Sequence, residues 1–106
     1  MDPSKLDGPF QVLVSGSSMW PTLSDGDKVI CNPLAYSHFQ PEVGDVVLVQ
    51  HPFHSNLLII KRIFELQGEG EFSLTGDNPD PTSSDDSHNF GPVQKSAILG
   101  ALRRNT

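Results

Sequence analysis

The sequence predicts an all-β fold of short, mainly antiparallel strands. Its 106 residues include nine prolines and nine glycines, and its longest uninterrupted apolar runs are four residues long. Such a chain favours many short strands joined by turns over long helices. The length is that of one domain with a single core, so residues 1–106 are expected to form one unit, with a flexible start over residues 1–8.

Six segments have the pattern of strands, and turn residues bound each of them. Residues 46–50 are almost wholly apolar, which predicts a strand buried on both faces. Residues 57–66 are long enough for a helix, but three isoleucines and a phenylalanine favour a strand. A long loop at residues 76–92 is expected to be functional or disordered. The predicted strands are residues 10–15, 28–32, 46–50, 57–66, 71–75 and 93–102.

The composition argues against several classes of partner. The formal charge of −6 and the pI near 4.9 disfavour nucleic acid and an anionic membrane surface, since both attract Lys and Arg. The sequence contains neither the roughly 20 apolar residues of a membrane span nor the basic-then-apolar start of a signal segment. The single cysteine, Cys31, fits a reducing compartment. A soluble, cytoplasmic protein is therefore expected.

Ser18 is the candidate nucleophile. The alternating apolar run before it stops at Gly16, and Pro21 prevents the strand from resuming. A hydroxyl at such a turn is exposed and is backed by backbone N–H groups, here those of Gly16, Ser17 and Ser18, which could stabilise an oxyanion. Turns also favour serine for structural reasons, so this serine alone does not establish a nucleophile.

Lys61 is the candidate base. A serine hydroxyl needs a base to take its proton, and an amine with the ordinary lysine pKa near 10.4 stays protonated at neutral pH. Read with a period of two, Lys61 projects among Ile59 and Ile63, and burial there would lower its pKa. The alternative is a surface lysine beside Arg62 at a sheet edge. The four histidines lie in no predicted strand, and no neighbouring pattern would orient one as a base.

Four motifs follow one another along the chain. They are Ser18-Met19-x-Pro21-Thr22-Leu23 with Gly26-Asp27; Gly44-Asp45-Val46-Val47; Ile60-Lys61-Arg62-Ile63; and Gly76-Asp77-Asn78 with Ser84-x-Asp86-Ser87 and Phe90-Gly91-Pro92-Val93. Together they resemble the sequence boxes of the type I signal peptidases, in the order of that family and over most of the chain. Four ordered motifs are far more specific than a lone serine.

The resemblance implies a fold and a chemistry. The fold would be the compact β fold of signal peptidases and repressor proteases, with a coiled β-sheet. The activity would be that of a serine endopeptidase with a Ser-Lys dyad, without metal or cofactor. Ser18 would be the nucleophile and Lys61 the general base.

The last motif would supply residues that support the dyad. Ser84 would hydrogen-bond the lysine amine, although a longer spacing leaves open whether Ser83 takes that place. Asp77 and Asp86 would be structural supports, and the family pairs the second of them with an arginine two residues on. His88 stands there in this chain, which predicts a weaker, pH-dependent pair.

Several features differ from a membrane-anchored signal peptidase. Only 17 residues precede Ser18, and none of them forms a span. The sizeable insertion after the lysine box is missing, and Gly16 occupies a position where some relatives place an oxyanion-donating serine. This short form, with Gly-Asp-Asn-Pro at residues 76–79, resembles the maturation proteases of nickel-type superoxide dismutase. The resemblance implies that the partner is the leader-bearing precursor of that enzyme.

Two alternatives remain open at this stage. The chain could be the catalytic domain of a membrane-anchored type I signal peptidase, or a catalytically inactive peptide-binding module on the same fold.

Next to the serine, Met19, Trp20 and Pro21 are expected to contact substrate, with Met19 inward and Trp20 nearer the cleft. The pair in His51-x-x-His54 is interpreted as solvated loop histidines rather than metal ligands.

Overall fold

Seven strands form a single sheet in the computed structural model, which describes residues 8–80 and 90–104. The strands are β1 (Phe10–Leu13), β2 (Lys28–Asn32), β3 (Val46–Gln50), β4 (Leu58–Gln67), β5 (Glu71–Thr75), β6 (Val93–Gln94) and β7 (Ile98–Arg104). Their order in the sheet is β1-β2-β7-β3-β4-β5-β6, and every neighbouring pair is antiparallel. The sheet curls into a half-barrel, which confirms the predicted all-β fold with a coiled sheet.

The central strands agree well with the prediction. The bounds of β2, β3 and β5 are those expected from the sequence. Val47, Leu48 and Val49 of β3 are all buried, because a continuous apolar run has core on both sides of the sheet. β4 and β5 form a hairpin whose turn ends at Gly70, where a φ of 77° requires a residue free of a Cβ.

The single strand predicted at residues 93–102 is wrong. It is two strands, β6 and β7, separated by a 3₁₀ turn at Lys95–Ala97. β6 pairs with β5 at one edge of the sheet, whereas β7 lies between β2 and β3. The chain must break to reach both places, and Lys95 and Ala97 are residue types that strands disfavour. β1 also ends earlier than predicted, at Leu13.

Two clusters of buried apolar side chains stabilise the sheet, and they meet at β4. One cluster contains Ile63 with partners from β3, β5 and β6, while the other joins the segment after β1 to β2 through Met19. Ile59 packs against the first cluster and Ile60 against the second. Each fully buried aliphatic side chain contributes about 1.5–3 kcal/mol of transfer free energy. The second cluster therefore holds the serine-bearing segment on the sheet.

Cys31 and His51 are both buried in the fold. Cys31 is fully buried, and burial raises the pKa of its thiol from 9.0 to about 11, so the thiol is unreactive at neutral pH. His51 is 3% exposed and its ring packs edge-on against Phe90, with the centroids 4.9 Å apart. The expectation of two solvated histidines is therefore wrong for His51, although His54 is exposed.

Candidate active site

A cleft of about 510 Å³ opens where the curled sheet brings β1 close to the beginning of β4. Ser18 reaches it from the segment after β1, and Lys61 reaches it from β4. Among the described residues of its lining, Lys61 is the only charged side chain, and most of the others are apolar. The cleft is lined by residues 10–15, Ser18, Met19, Leu48 and residues 57–61.

Ser18 lies in a turn that is anchored on both sides. Gly16, with a φ of 88°, redirects the chain after β1, and its N–H donates to Asp25 Oδ1 at 2.7 Å. Met19 directly follows the serine and is only 2% exposed, because its side chain belongs to the second core cluster. The half-buried Ser18 is thereby held at the wall of the cleft.

Lys61 is buried in an interior strand. β4 lies between β3 and β5, and Lys61 is paired with Val47 and is 3% exposed. The alternative of a surface lysine at a sheet edge is therefore wrong. Burial disfavours an ammonium ion because the charge loses its hydration. The fold thus holds Lys61 in the interior, where it lines the cleft together with Ser18.

The Asp77 carboxylate connects the serine segment to the lysine strand. Arg62 donates two hydrogen bonds to it, from Nε to Oδ1 at 2.8 Å and from Nη2 to Oδ2 at 2.7 Å. Thr22 Oγ1 donates to Oδ2 at 2.5 Å, and Arg62 Nη1 donates to the Gly44 carbonyl at 2.6 Å. Arg62 directly follows Lys61 in the chain. We call the hydrogen-bonded group of Thr22, Arg62 and Asp77 the clamp. It joins the segment that carries Ser18 to the strand that carries Lys61.

The same contacts set the charge state of the clamp. The Arg62 guanidinium holds the pKa of the Asp77 carboxyl below its usual 3.8 through its hydrogen bonds, and the Thr22 hydroxyl lowers that pKa further against the opposing effect of burial. In turn, the carboxylate raises the pKa of Arg62 above its ordinary value. Both groups are therefore charged at neutral pH, and the hydrogen bonds between them are charge-assisted.

Asn78 holds the serine turn from a second direction. Its backbone N–H donates to the Ser18 carbonyl at 2.9 Å. Its side-chain Nδ2 donates to the Ser17 carbonyl at 2.8 Å. Asp77 and Asn78 are neighbours just after β5, so one short segment supports both the clamp and the turn.

Comparison with known proteins places this chain in a family. The family model of signal peptidases, described as "Signal peptidase, peptidase S26", matches residues 9–70, which is more than half of the chain and includes both Ser18 and Lys61. The chain belongs to the peptidase S26 family. This match confirms the resemblance to signal peptidases that the four motifs indicated.

Relatives in the peptidase S26 family include organellar and bacterial processing enzymes. The mitochondrial inner membrane protease subunit 1 of Xenopus tropicalis is 30% identical, over 86% of this chain and 65% of that protein. The chloroplastic thylakoidal processing peptidase 1 of Arabidopsis thaliana is 26% identical, over 82% of this chain and 38% of that protein. Signal peptidase I of Aquifex aeolicus is 36% identical, over 53% of this chain and 22% of that protein. The chain thus spans 65% or less of each of these relatives.

The structure brings together some of the residues predicted for a peptidase S26 site. Ser18, Lys61 and Met19 line one cleft, and Met19 points inward as expected. Trp20 and Pro21 are exposed and lie outside the cleft lining. The N–H of Gly16 is engaged by Asp25, so only the N–H groups of the following serines remain as candidate oxyanion donors.

The remaining predicted site residues cannot be placed. Ser83, Ser84, Asp86 and His88 lie outside the described residues.

Over residues 8–80 and 90–104, no helix combines the length and apolar character needed to cross a membrane. In the same two ranges, no three side chains of His, Cys, Asp or Glu converge as metal ligands would.

Three residues of the site were not predicted from the sequence, namely Thr22, Arg62 and Asn78. In the β4–β5 hairpin, Arg62 is paired with Thr75, and Asp77 comes two residues after Thr75. The register shifts between Ile63 and Glu65, so a regular hairpin counted from the turn would pair Arg62 with Gly76 instead. The hairpin pattern alone therefore does not predict the ion pair between Arg62 and Asp77. No local signal exists for Thr22 or Asn78 either, because their contacts join distant parts of the chain.

Proposed function

We propose that this chain is a serine endopeptidase that works with a Ser18–Lys61 dyad and removes the leader segment of a partner protein. The observation that carries the proposal is the cleft that contains both Ser18 and the buried Lys61. Family membership supports the same chemistry, because the segment matched by the family model includes both residues.

The proposed reaction begins with proton transfer from the Ser18 hydroxyl to the neutral Lys61 amine. The Ser18 oxygen bonds to the scissile carbonyl carbon, and the C=O electron pair moves onto the oxygen. Backbone N–H groups of Ser17 and Ser18 stabilise this oxyanion. Collapse expels the amine fragment, which takes the proton from Lys61. Water, deprotonated by Lys61, then hydrolyses the acyl ester and regenerates the serine.

The edge of the sheet offers a binding mode for an extended substrate. Within the described residues, β1 pairs with β2 alone, and β1 also lines the cleft. A peptide could therefore add as a further strand beside β1, with alternate side chains directed at the cleft wall. That wall includes aliphatic residues such as Leu48, Ile59 and Ile60, which favours small or aliphatic uncharged side chains before the cut.

The substrate is proposed to be the precursor of a nickel-type superoxide dismutase. This rests on the short Gly-Asp-Asn-Pro form of the last motif at residues 76–79. The second candidate is the catalytic region of a membrane-anchored signal peptidase. It is favoured by the relatives, whose names are those of a mitochondrial inner membrane protease, a thylakoidal processing peptidase and a signal peptidase.

A peptide library tests the peptidase proposal. The purified chain is incubated with a proteome-derived peptide library, and the new termini are identified by mass spectrometry. We expect cuts that follow small or aliphatic residues and that disappear in Ser18→Ala, a loss of at least about a thousandfold. Ser96→Ala is the matched control, because Ser96 is an exposed serine outside the cleft lining. Cuts that persist in Ser18→Ala, or no cuts at all, would refute the proposal.

A second experiment separates the two substrates. The chain is incubated with a leader-bearing nickel-type superoxide dismutase precursor and, in parallel, with a bacterial secretory preprotein. Cleavage of the first at the leader junction supports the maturation protease, and cleavage of the second alone supports the signal peptidase candidate.

A further inference from the structure

Asn78 binds the peptide group that carries the proposed oxyanion donor. Its Nδ2 donates to the Ser17 carbonyl at 2.8 Å, and the same carbonyl also accepts the Trp20 N–H at 3.1 Å. The Ser17 carbonyl and the Ser18 N–H belong to one planar peptide group. The Ser17–Ser18 bond is trans, since the cis bond recorded in the described chain is Trp20–Pro21. The carbonyl and the N–H therefore point in opposite directions.

Fixing the carbonyl fixes the N–H. With the Ser17 carbonyl held by two donors, the peptide plane cannot rotate without breaking hydrogen bonds worth about 0.5–1.5 kcal/mol each. Among residues 8–80 and 90–104, the Ser18 N–H donates no hydrogen bond. The direction of the Ser18 N–H is thus fixed, and no described residue accepts a hydrogen bond from it. A hydrogen bond to the carbonyl also polarises the peptide, which makes its N–H a stronger donor.

Asn78 is itself rigidly held. Its Oδ1 accepts the Asp80 N–H at 2.9 Å, which leaves Nδ2 as the group that faces the Ser17 carbonyl. Its backbone N–H bonds to the Ser18 carbonyl at 2.9 Å. The preceding residue, Asp77, is fixed by Arg62 and Thr22. Rigid support of this kind is what a preorganised site requires.

We propose that Asn78 is a positioning residue that orients the Ser17–Ser18 peptide, so that the Ser18 N–H meets the oxyanion of the tetrahedral intermediate. This inference rests on the proposed peptidase function. Asn78 would stabilise the transition state through the Ser17–Ser18 peptide group, to which it is hydrogen-bonded. It would not contact the substrate itself.

The test compares two asparagines in the same local structure. Asn78→Asp keeps the Oδ1 that accepts the Asp80 N–H, but it replaces the donor that faces the Ser17 carbonyl with a second oxygen. Asn32→Asp is the matched control, because Asn32 Oδ1 accepts the Leu34 N–H at 3.0 Å in the same kind of turn, and Asn32 does not line the cleft. Both variants add one negative charge.

The substrate is the peptide from the library that the wild-type chain cuts fastest in a Ser18-dependent manner, made as an internally quenched probe. We expect Asn78→Asp to lower kcat by about ten- to a hundredfold, within the range for a weakened oxyanion donor, while KM stays within about twofold. Asn32→Asp should match the wild type in both constants. If Asn78→Asp lowers the urea midpoint, Asn78→Ala replaces it, since it removes the Nδ2 donor without adding a charge, although it also removes the Oδ1 that accepts the Asp80 N–H.

A second readout separates a positioning role from a merely structural one. A peptide aldehyde of the same acyl fragment forms a bond between Ser18 Oγ and the aldehyde carbon, and the serine proton passes to Lys61 as the carbonyl oxygen becomes the oxyanion. Its affinity should fall by the same factor as kcat in Asn78→Asp. The affinity of the uncut peptide should not fall when Asn78→Asp is combined with Ser18→Ala.

Three outcomes decide the matter. Equal kcat in Asn78→Asp and Asn32→Asp would overturn the inference while leaving the peptidase function intact. A raised KM with unchanged kcat, or equal losses for the aldehyde and the uncut peptide, would also overturn it. A wild-type chain that cuts no peptide would refute the peptidase function, and the role of Asn78 would fall with it.

Discussion

Asp77 is the side chain whose charge most directly supports the site. Because its folded pKa lies below the usual 3.8, its ionised form stabilises the fold at pH values above about 4, and that contribution is lost as the pH falls through the folded pKa. Asp77→Asn removes the acceptor charge and leaves the Arg62 guanidinium without its anionic partner. We expect a loss of about 1–3 kcal/mol in the free energy of unfolding at pH 7, measured by urea denaturation.

The pH dependence distinguishes this loss from a general effect of substitution. The difference in unfolding free energy between wild type and Asp77→Asn should shrink as the pH falls from 5 towards 3. Glu69→Gln is the control, because Glu69 is exposed in the β4–β5 turn and its substitution removes the same charge. A difference that is constant over this pH range, or an equal loss in Glu69→Gln, would refute the role given to the Asp77 carboxylate.

The separate side chains illustrate what a sequence can predict. The sequence predicts Ser18 and Lys61 as candidates because each interrupts a local pattern. Ser18 follows the end of an apolar strand, and Lys61 is a charged residue within an apolar strand. Thr22 and Asn78 interrupt nothing, since serine, threonine and asparagine are ordinary in turns. Their roles arise only when segments 55 and 61 residues apart meet, as Thr22 meets Asp77 and Asn78 meets Ser17. Such meetings depend on the tertiary fold.

The pairing of β2 with β7, here called the β2–β7 joint, determines where β1 lies, because β1 is attached to the rest of the sheet only through β2 in the described residues. β1 in turn forms one wall of the cleft. Gly100 of β7 makes this joint possible. A Cβ at Gly100 would lie 2.4 Å from the Asn32 carbonyl oxygen and 2.7 Å from Cys31 Sγ. The first of these contacts is with backbone, so no change of rotamer can relieve it.

Gly100→Ala is therefore expected to destabilise the fold by about 1–3 kcal/mol, the usual cost of overpacking, as measured by the urea midpoint. It should also lower cleavage, because β2 and β1 must shift together. Gly68→Ala is the control, since a Cβ at Gly68 meets nothing within 4 Å. Equal stability of the two variants would show that the β2–β7 joint has more room than these contacts indicate.

The strand prediction succeeded or failed for a related reason. β2, β3 and β5 were predicted correctly because apolar alternation or continuity and their bounding turns are local features. The break at Lys95–Ala97 was missed because it is dictated by where β7 must go, between two strands formed much earlier in the chain. Strand order is a property of the assembled sheet, and local propensity does not encode it.

The curl of the whole sheet makes the cleft, since it brings β1 at one end of the sheet to face the beginning of β4. If the substrate adds as a strand beside β1, alternate backbone amides before the cut should bond to that edge. Replacing these amides one at a time by N-methyl amides should lower kcat/KM by about tenfold at every second position and much less at the positions between. A uniform response along the peptide would contradict strand addition.

The proposed peptidase activity depends on Lys61 acting as the base for Ser18. The most direct measurement is the single-turnover cleavage rate of Lys61→Met on the best peptide found in the library, compared with Lys28→Met, which removes an exposed lysine from β2. With both variants folded, we expect Lys61→Met to lose at least about a hundredfold in rate and Lys28→Met to match the wild type. A Lys61→Met enzyme that cleaves at the wild-type rate would contradict the account.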